Sequence, residues 1–133
     1  MKKYLLLAVL CAGFLGAAGA HEMDNTQARG YFKSFMHRFD DLQLCENENR
    51  AEYKWLIEQG EDGRDFVRDA FNDKKLSSRE RFAALYIYCK GWPLTCEGRL
   101  AKCERSKETG FAAFGRRLRV YLVGEVSQEH RVR

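Results

Sequence analysis

Proline appears once in this 133-residue chain, at Pro93, and runs of β-branched residues are few. Little in the sequence therefore breaks helices, and little favours strands. No G-x-S-x-G, H-E-x-x-H or phosphate-binding glycine loop occurs, so the signatures of α/β-hydrolases, zinc proteases and P-loop enzymes are missing. There is no C-x-x-C either, which argues against a thioredoxin-like redox motif, c-type haem attachment and the close ligand pairs of structural zinc. The histidines are His21, His37 and His130. His37 lies one position off the apolar stripe of its segment, where a surface or boundary residue is expected rather than a catalytic base. The carboxylate pairs Asp40–Asp41 and Glu61–Asp62 fall at helix ends and suit capping or solvent. A glycosidase pair depends on a spatial separation that a sequence does not carry, so a small secreted hydrolase stands as a third reading.

Long apolar runs are also missing. The run from Tyr4 to Leu15 is shorter than the roughly 20 residues that span a bilayer. It follows two lysines and precedes Ala18-Gly19-Ala20, the layout of a secretory signal with an A-x-A type cleavage site. Residues 1–20 are read as a cleaved signal peptide and 21–133 as a single domain, periplasmic or secreted. Cys11 leaves with the signal; Leu10 before it is not the small residue that lipoprotein processing prefers. Cleavage would expose His21, whose amine and imidazole suit copper together with a second histidine or Met23. No second histidine is near in sequence, and no metal or cofactor is expected.

Four cysteines remain: Cys45, Cys89, Cys96 and Cys103. In an exported chain an even number predicts a disulfide framework. Along a helix, Cys96, Leu100 and Cys103 share one face, but residues seven apart are roughly 10 Å apart along the axis, beyond bridging reach. Two connectivities remain. The favoured one joins Cys89 to Cys96 and Cys45 to Cys103; the other joins Cys45 to Cys96 and Cys89 to Cys103.

What is present is an apolar fraction of 45% with nine Phe, six Tyr and two Trp, enough to close a core in a small domain. Apolar residues recur at helical spacing in successive segments. From Asn25 to Leu44 they are Phe32, Phe35, Met36, Phe39 and Leu42; from Arg50 to Gln59, Tyr53, Leu56 and Ile57, with Gly60 at the C-cap; from Asp62 to Asn72, Phe66, Val67, Ala70 and Phe71. Ser77 and Glu80 form a capping box before Phe82, Leu85, Tyr86 and Cys89, and Gly91 follows. Pro93 or Thr95 can start a fifth helix. Residues 111–126 fit a sixth helix ending near Gly124, although Leu118, Val120 and Leu122 also alternate as a strand would. The predicted fold is an all-α bundle of five to six short helices stapled by two disulfides.

Charge is uneven. Asp40 to Asp73 holds eleven acidic and four basic residues, and Lys74 to Arg133 fourteen basic and six acidic. Such a dipole can orient a protein on a charged partner, unless the two halves satisfy each other within the fold. Arg116, Arg117 and Arg119 are too small a cluster for nucleic acid, and export removes that ligand. The expectation is a non-enzymatic binding or accessory protein, supporting assembly or stability of an envelope machine such as a pilus or secretion apparatus through Trp92, Arg116, Arg117 and Arg119. The alternative is an immunity or inhibitor protein that neutralises a periplasmic toxin or hydrolase, with Gln59 to Arg64 as its projecting or acidic element. Either way the partner is another envelope or secreted protein, with no nucleic acid and no stable membrane span.

Overall fold

The computed structural model describes residues 22–132, with side chains through Glu125. The leader read from residues 1–20, its cleavage point and His21 lie outside them. Among the described residues there are six α-helices and no strand: α1 (Asn25–Arg38), α2 (Ala51–Glu58), α3 (Glu61–Asn72), α4 (Ser78–Gly91), α5 (Glu97–Glu104) and α6 (Thr109–Val132). A short 3-10 turn, Leu44–Asn47, links α1 to α2.

Local chemistry sets most of these boundaries. Asp24 caps α1 by accepting from the amides of Thr26 and Gln27 at 2.9 and 3.1 Å. Ser77 and Glu80 form the expected reciprocal capping box at α4. Gly60 joins α2 to α3 with a φ of 70°, in the left-handed region that glycine enters at least cost. Gly63 is needed for a different reason. A Cβ there would stand 1.9 Å from the Leu56 carbonyl oxygen, so the close approach of α3 to the end of α2 requires glycine.

α4 is the central element. Phe82 through Cys89 are all buried, as expected of a helix covered on every side, and α1, α2, α3 and α6 all pack on it. Tyr86 sits at the middle of an aromatic cluster, its ring centroid 6.0 Å from Phe35, 5.6 Å from Phe39 and 5.6 Å from Tyr53. Phe82 stacks on Phe114 of α6 at 4.4 Å.

Three expectations need correction. α1 ends at Arg38 rather than running to Leu44, because two groups compete for its last turn. The Asp40 carboxylate accepts from the amides of Leu42 and Gln43 at 3.0 and 2.8 Å, and the Arg79 guanidinium takes the carbonyls of Met36, His37 and Phe39. Leu42 consequently leaves the buried stripe and is 72% exposed. The last segment is one long helix of 24 residues, past the expected end at Gly124 and with none of the strand alternation.

The third concerns the staples: among the described residues no two cysteine sulfurs stand at bonding distance, and the nearest pair is 3.4 Å apart. Cys45 lies exposed on the 3-10 turn, while Cys103 is buried and donates to the Phe111 carbonyl at 3.1 Å. The two face different neighbours and form no bond. Cys89 and Cys96 do meet as thiols. Cys96 forms the N-cap of α5 rather than part of its body.

Candidate functional site

The arginines expected to form a docking cluster are distributed around α6. Successive residues on a helix turn by about 100°, so positions 116, 117 and 119 face three ways. Arg119 points to α5, where Glu97 and Glu104 bind it at 2.7 and 2.8 Å. These contacts hold both carboxyls below the usual range. Arg117 reaches back to the loop after α1, donating to the Asp41 carbonyl at 3.1 Å and its carboxylate at 3.4 Å. Arg116 alone is exposed, beside the outward-facing Leu42 and Val120. Trp92 is half-buried against the core, 6.0 Å from the Tyr88 ring. The structure therefore does not gather Trp92 and the three arginines into one surface.

Gln59 to Arg64 is a helix junction rather than a loop. Gln59 and Gly60 are a two-residue junction, and the remaining residues are the first turn of α3. His37 is exposed in the last turn of α1. Among the described residues, no three His, Cys, Asp or Glu side chains gather to hold a metal ion, and no helix is long and apolar enough to cross a membrane.

The acidic half behaves differently from the basic one. Among the described residues, a single ion pair, Arg117–Asp41, joins residues 40–73 to residues 74–133. The remaining acidic charge is thus not cancelled by the basic half, and part of it borders a groove of about 670 Å³ between α1 and α3. Apolar side chains form its floor: Met23, Phe32 and Met36 from one side, Phe66, Ala70 and Leu76 from the other. Phe32 and Phe66 meet edge to face at 5.8 Å, which sets the floor's depth.

Five carboxylates line this groove (Asp62, Asp65, Asp69, Asp73 and Glu80) against two cations, Arg29 and Lys33, a net of minus three. Arg68 reaches Asp65 at 3.1 Å and Asp69 at 3.4 Å, and Arg64 reaches Asp65 at 3.4 Å. These are part-exposed pairs within one helix, of the kind worth a few tenths of a kcal/mol, and a stronger cationic partner can displace them. The sequence did carry the signal. Asp62, Asp65 and Asp69 recur at spacings of three and four, beside Phe66 and Ala70, so one face of α3 is both acidic and apolar. No family model matches the chain, and neither a curated protein nor a solved structure is significantly similar to it.

Proposed function

We propose that this protein is an exported, non-enzymatic binding module whose α1–α3 groove takes a cationic amphipathic helix of another envelope or secreted protein. The observation that carries the reading is the groove itself: an apolar floor with a surplus of carboxylates on its rim. A helix laid in such a groove buries its apolar face and pairs its flanking Lys or Arg with the rim. α3 has 12 residues, about 18 Å of length, which matches roughly three turns of partner helix. Met23 and Met36 suit the role, since flexible thioethers adapt to different side chains. The reading of residues 1–20 as a secretory leader supports a partner outside the cytoplasm, in keeping with an accessory part of an envelope assembly.

The test is fluorescence anisotropy with two designed helical peptides that share one apolar stripe, one flanked by lysine and the other by glutamate. Micromolar-range binding of the lysine peptide, weakening as salt rises because exposed charges are screened, is the expected result. Asp65→Lys with Asp69→Lys should abolish it while circular dichroism stays unchanged. Equal binding of the two peptides, or binding unaffected by the double substitution, would remove the groove from consideration. An inhibitory role shares this face; it is separated by whether an enzyme presenting such a helix loses activity on binding.

A further inference from the structure

Cys89 ends the buried face of α4, and Cys96 caps the start of α5 after a turn containing the chain's single proline. Their thiols face each other within hydrogen-bonding reach. The nearest approach between cysteines among the described residues is 3.4 Å, too long for a bond and close enough for one to form by a small shift. Both residues line a pocket of about 610 Å³ that opens between α4, α5 and α6, with Lys90, Pro93, Glu97, Arg119, Leu122 and Glu125 around it. The reduced form is itself well satisfied, because Cys96 Sγ also lies 3.5 Å from the Pro93 carbonyl. A pair that fits both as dithiol and as disulfide, at the base of a surface pocket, has the requirements for exchange.

We propose that Cys89 and Cys96 form a reversible thiol–disulfide exchange site, with Cys96 as the attacking sulfur and a small-molecule or peptide disulfide as its substrate. The Cys96 thiolate attacks one substrate sulfur, forming a mixed disulfide and releasing the first thiolate, which takes up the Cys89 proton. Cys89 then attacks Cys96, closing the Cys89–Cys96 bond and releasing the second thiolate, protonated from water. Two electrons pass from the cysteine pair to the substrate, which leaves as two thiols. The order of attack follows from position. Cys89 is 1% exposed and Cys96 6%. The neighbouring Cys89 thiol pulls the Cys96 thiol downward, against the opposing effect of burial, while the same contact and deeper burial push Cys89 upward. A thiolate fraction near neutral pH is what an attacking sulfur requires.

The experiment places the reduced protein in glutathione buffers of stepped ratio, quenches with acid and maps every cysteine by mass. A Cys89–Cys96 bond should form and reopen with the ratio, while Cys103 stays a thiol. Cys45 has no neighbouring thiol to resolve it, so it exchanges only between free thiol and glutathione adduct as the ratio changes, forms no internal bond, and serves as an internal control. Cys89→Ser should accumulate glutathione on Cys96 at least about tenfold faster than Cys96→Ser does on Cys89. Absence of the bond, a bond that excess reduced glutathione does not reopen in the folded protein, or equal trapping on the two sulfurs would each overturn the proposal. The wild-type titration decides the matter even if a serine variant does not fold.

Discussion

Arg119 of α6 is clamped by Glu104 of α5 through two hydrogen bonds, Nε to one carboxylate oxygen at 2.9 Å and one terminal nitrogen to the other at 2.8 Å. Parallel bonds of this kind fix orientation as well as adding energy. The clamp is a helix-to-helix fastener, so Arg119→Ala should cost stability and leave binding at the α1–α3 groove intact. Because the arginine side chain is 37% exposed, solvent screening limits the loss to about 1 kcal/mol. Its pH dependence is specific. Arg119 holds Glu97 and Glu104 below the ordinary carboxyl value of 4.5, so their contribution is present above that pH and is lost as pH falls through the lower folded values. Urea midpoints of wild type and variant should differ at pH 7 and converge in strong acid.

Three glycines predict different outcomes on substitution by alanine. Gly63→Ala forces a methyl onto the Leu56 carbonyl and should destabilise by about 1–3 kcal/mol. Gly60→Ala meets no atom within 4 Å but must keep a φ of 70° with ψ of −136°, a strain of about 1–3 kcal/mol. Gly30→Ala, mid-helix with nothing within 4 Å, should stabilise by about 0.5–1 kcal/mol. Thermal melts of the three variants check the direction of each.

The enclosed Tyr86 hydroxyl faces those of Tyr53 and Tyr121 without a well-formed hydrogen bond, whereas the Tyr53 hydroxyl donates to the Glu48 carbonyl at 2.8 Å. Removing an unsatisfied buried polar atom is near neutral or favourable, and removing a made bond costs about 1 kcal/mol. Tyr86→Phe should therefore match or exceed the wild-type melting temperature, and Tyr53→Phe should fall below it.

Free thiols distinguish the structure from the two-disulfide expectation. After mild oxidation, alkylation should find Cys45 and Cys103 unpaired. Burial pushes the Cys103 thiol up to about 11, so below pH 9 it should react only after denaturant is added. A Cys45–Cys103 crosslink in the peptide map would reinstate the pairing expected from sequence and contradict the separation of these residues in the fold.

Much of the architecture was legible in the residue pattern. The stripes of α1, α2 and α3, the Ser77–Glu80 capping box and the Gly60 turn depend on neighbours within a few positions, which a sequence displays directly. The end of α1 was not. It is set by the local Asp40 cap together with Arg79, some forty residues away, whose guanidinium takes three carbonyls at that terminus. The same applies to the arginines of α6: adjacency at 116, 117 and 119 suggested one patch, and helical rotation carried them to different partners.

By itself the sequence determined an all-helical fold, most of the buried stripes of α1, α2 and α3, and the excess of acidic charge between Asp40 and Asp73. Those properties follow from periodicity and composition, which are local. Tertiary structure decided which charges remain available. Arg117 and Arg119 are occupied by carboxylates brought to them by the chain's return, while the carboxylates of α3 border an apolar groove that exists only because α1 and α3 flank it without filling it. It also decided the fate of the cysteines, since a bond requires two sulfurs on facing sides of a turn and not merely an even number of them. Cys89 and Cys96 meet that condition across the α4–α5 turn, and Cys45 and Cys103, turned toward different neighbours, do not.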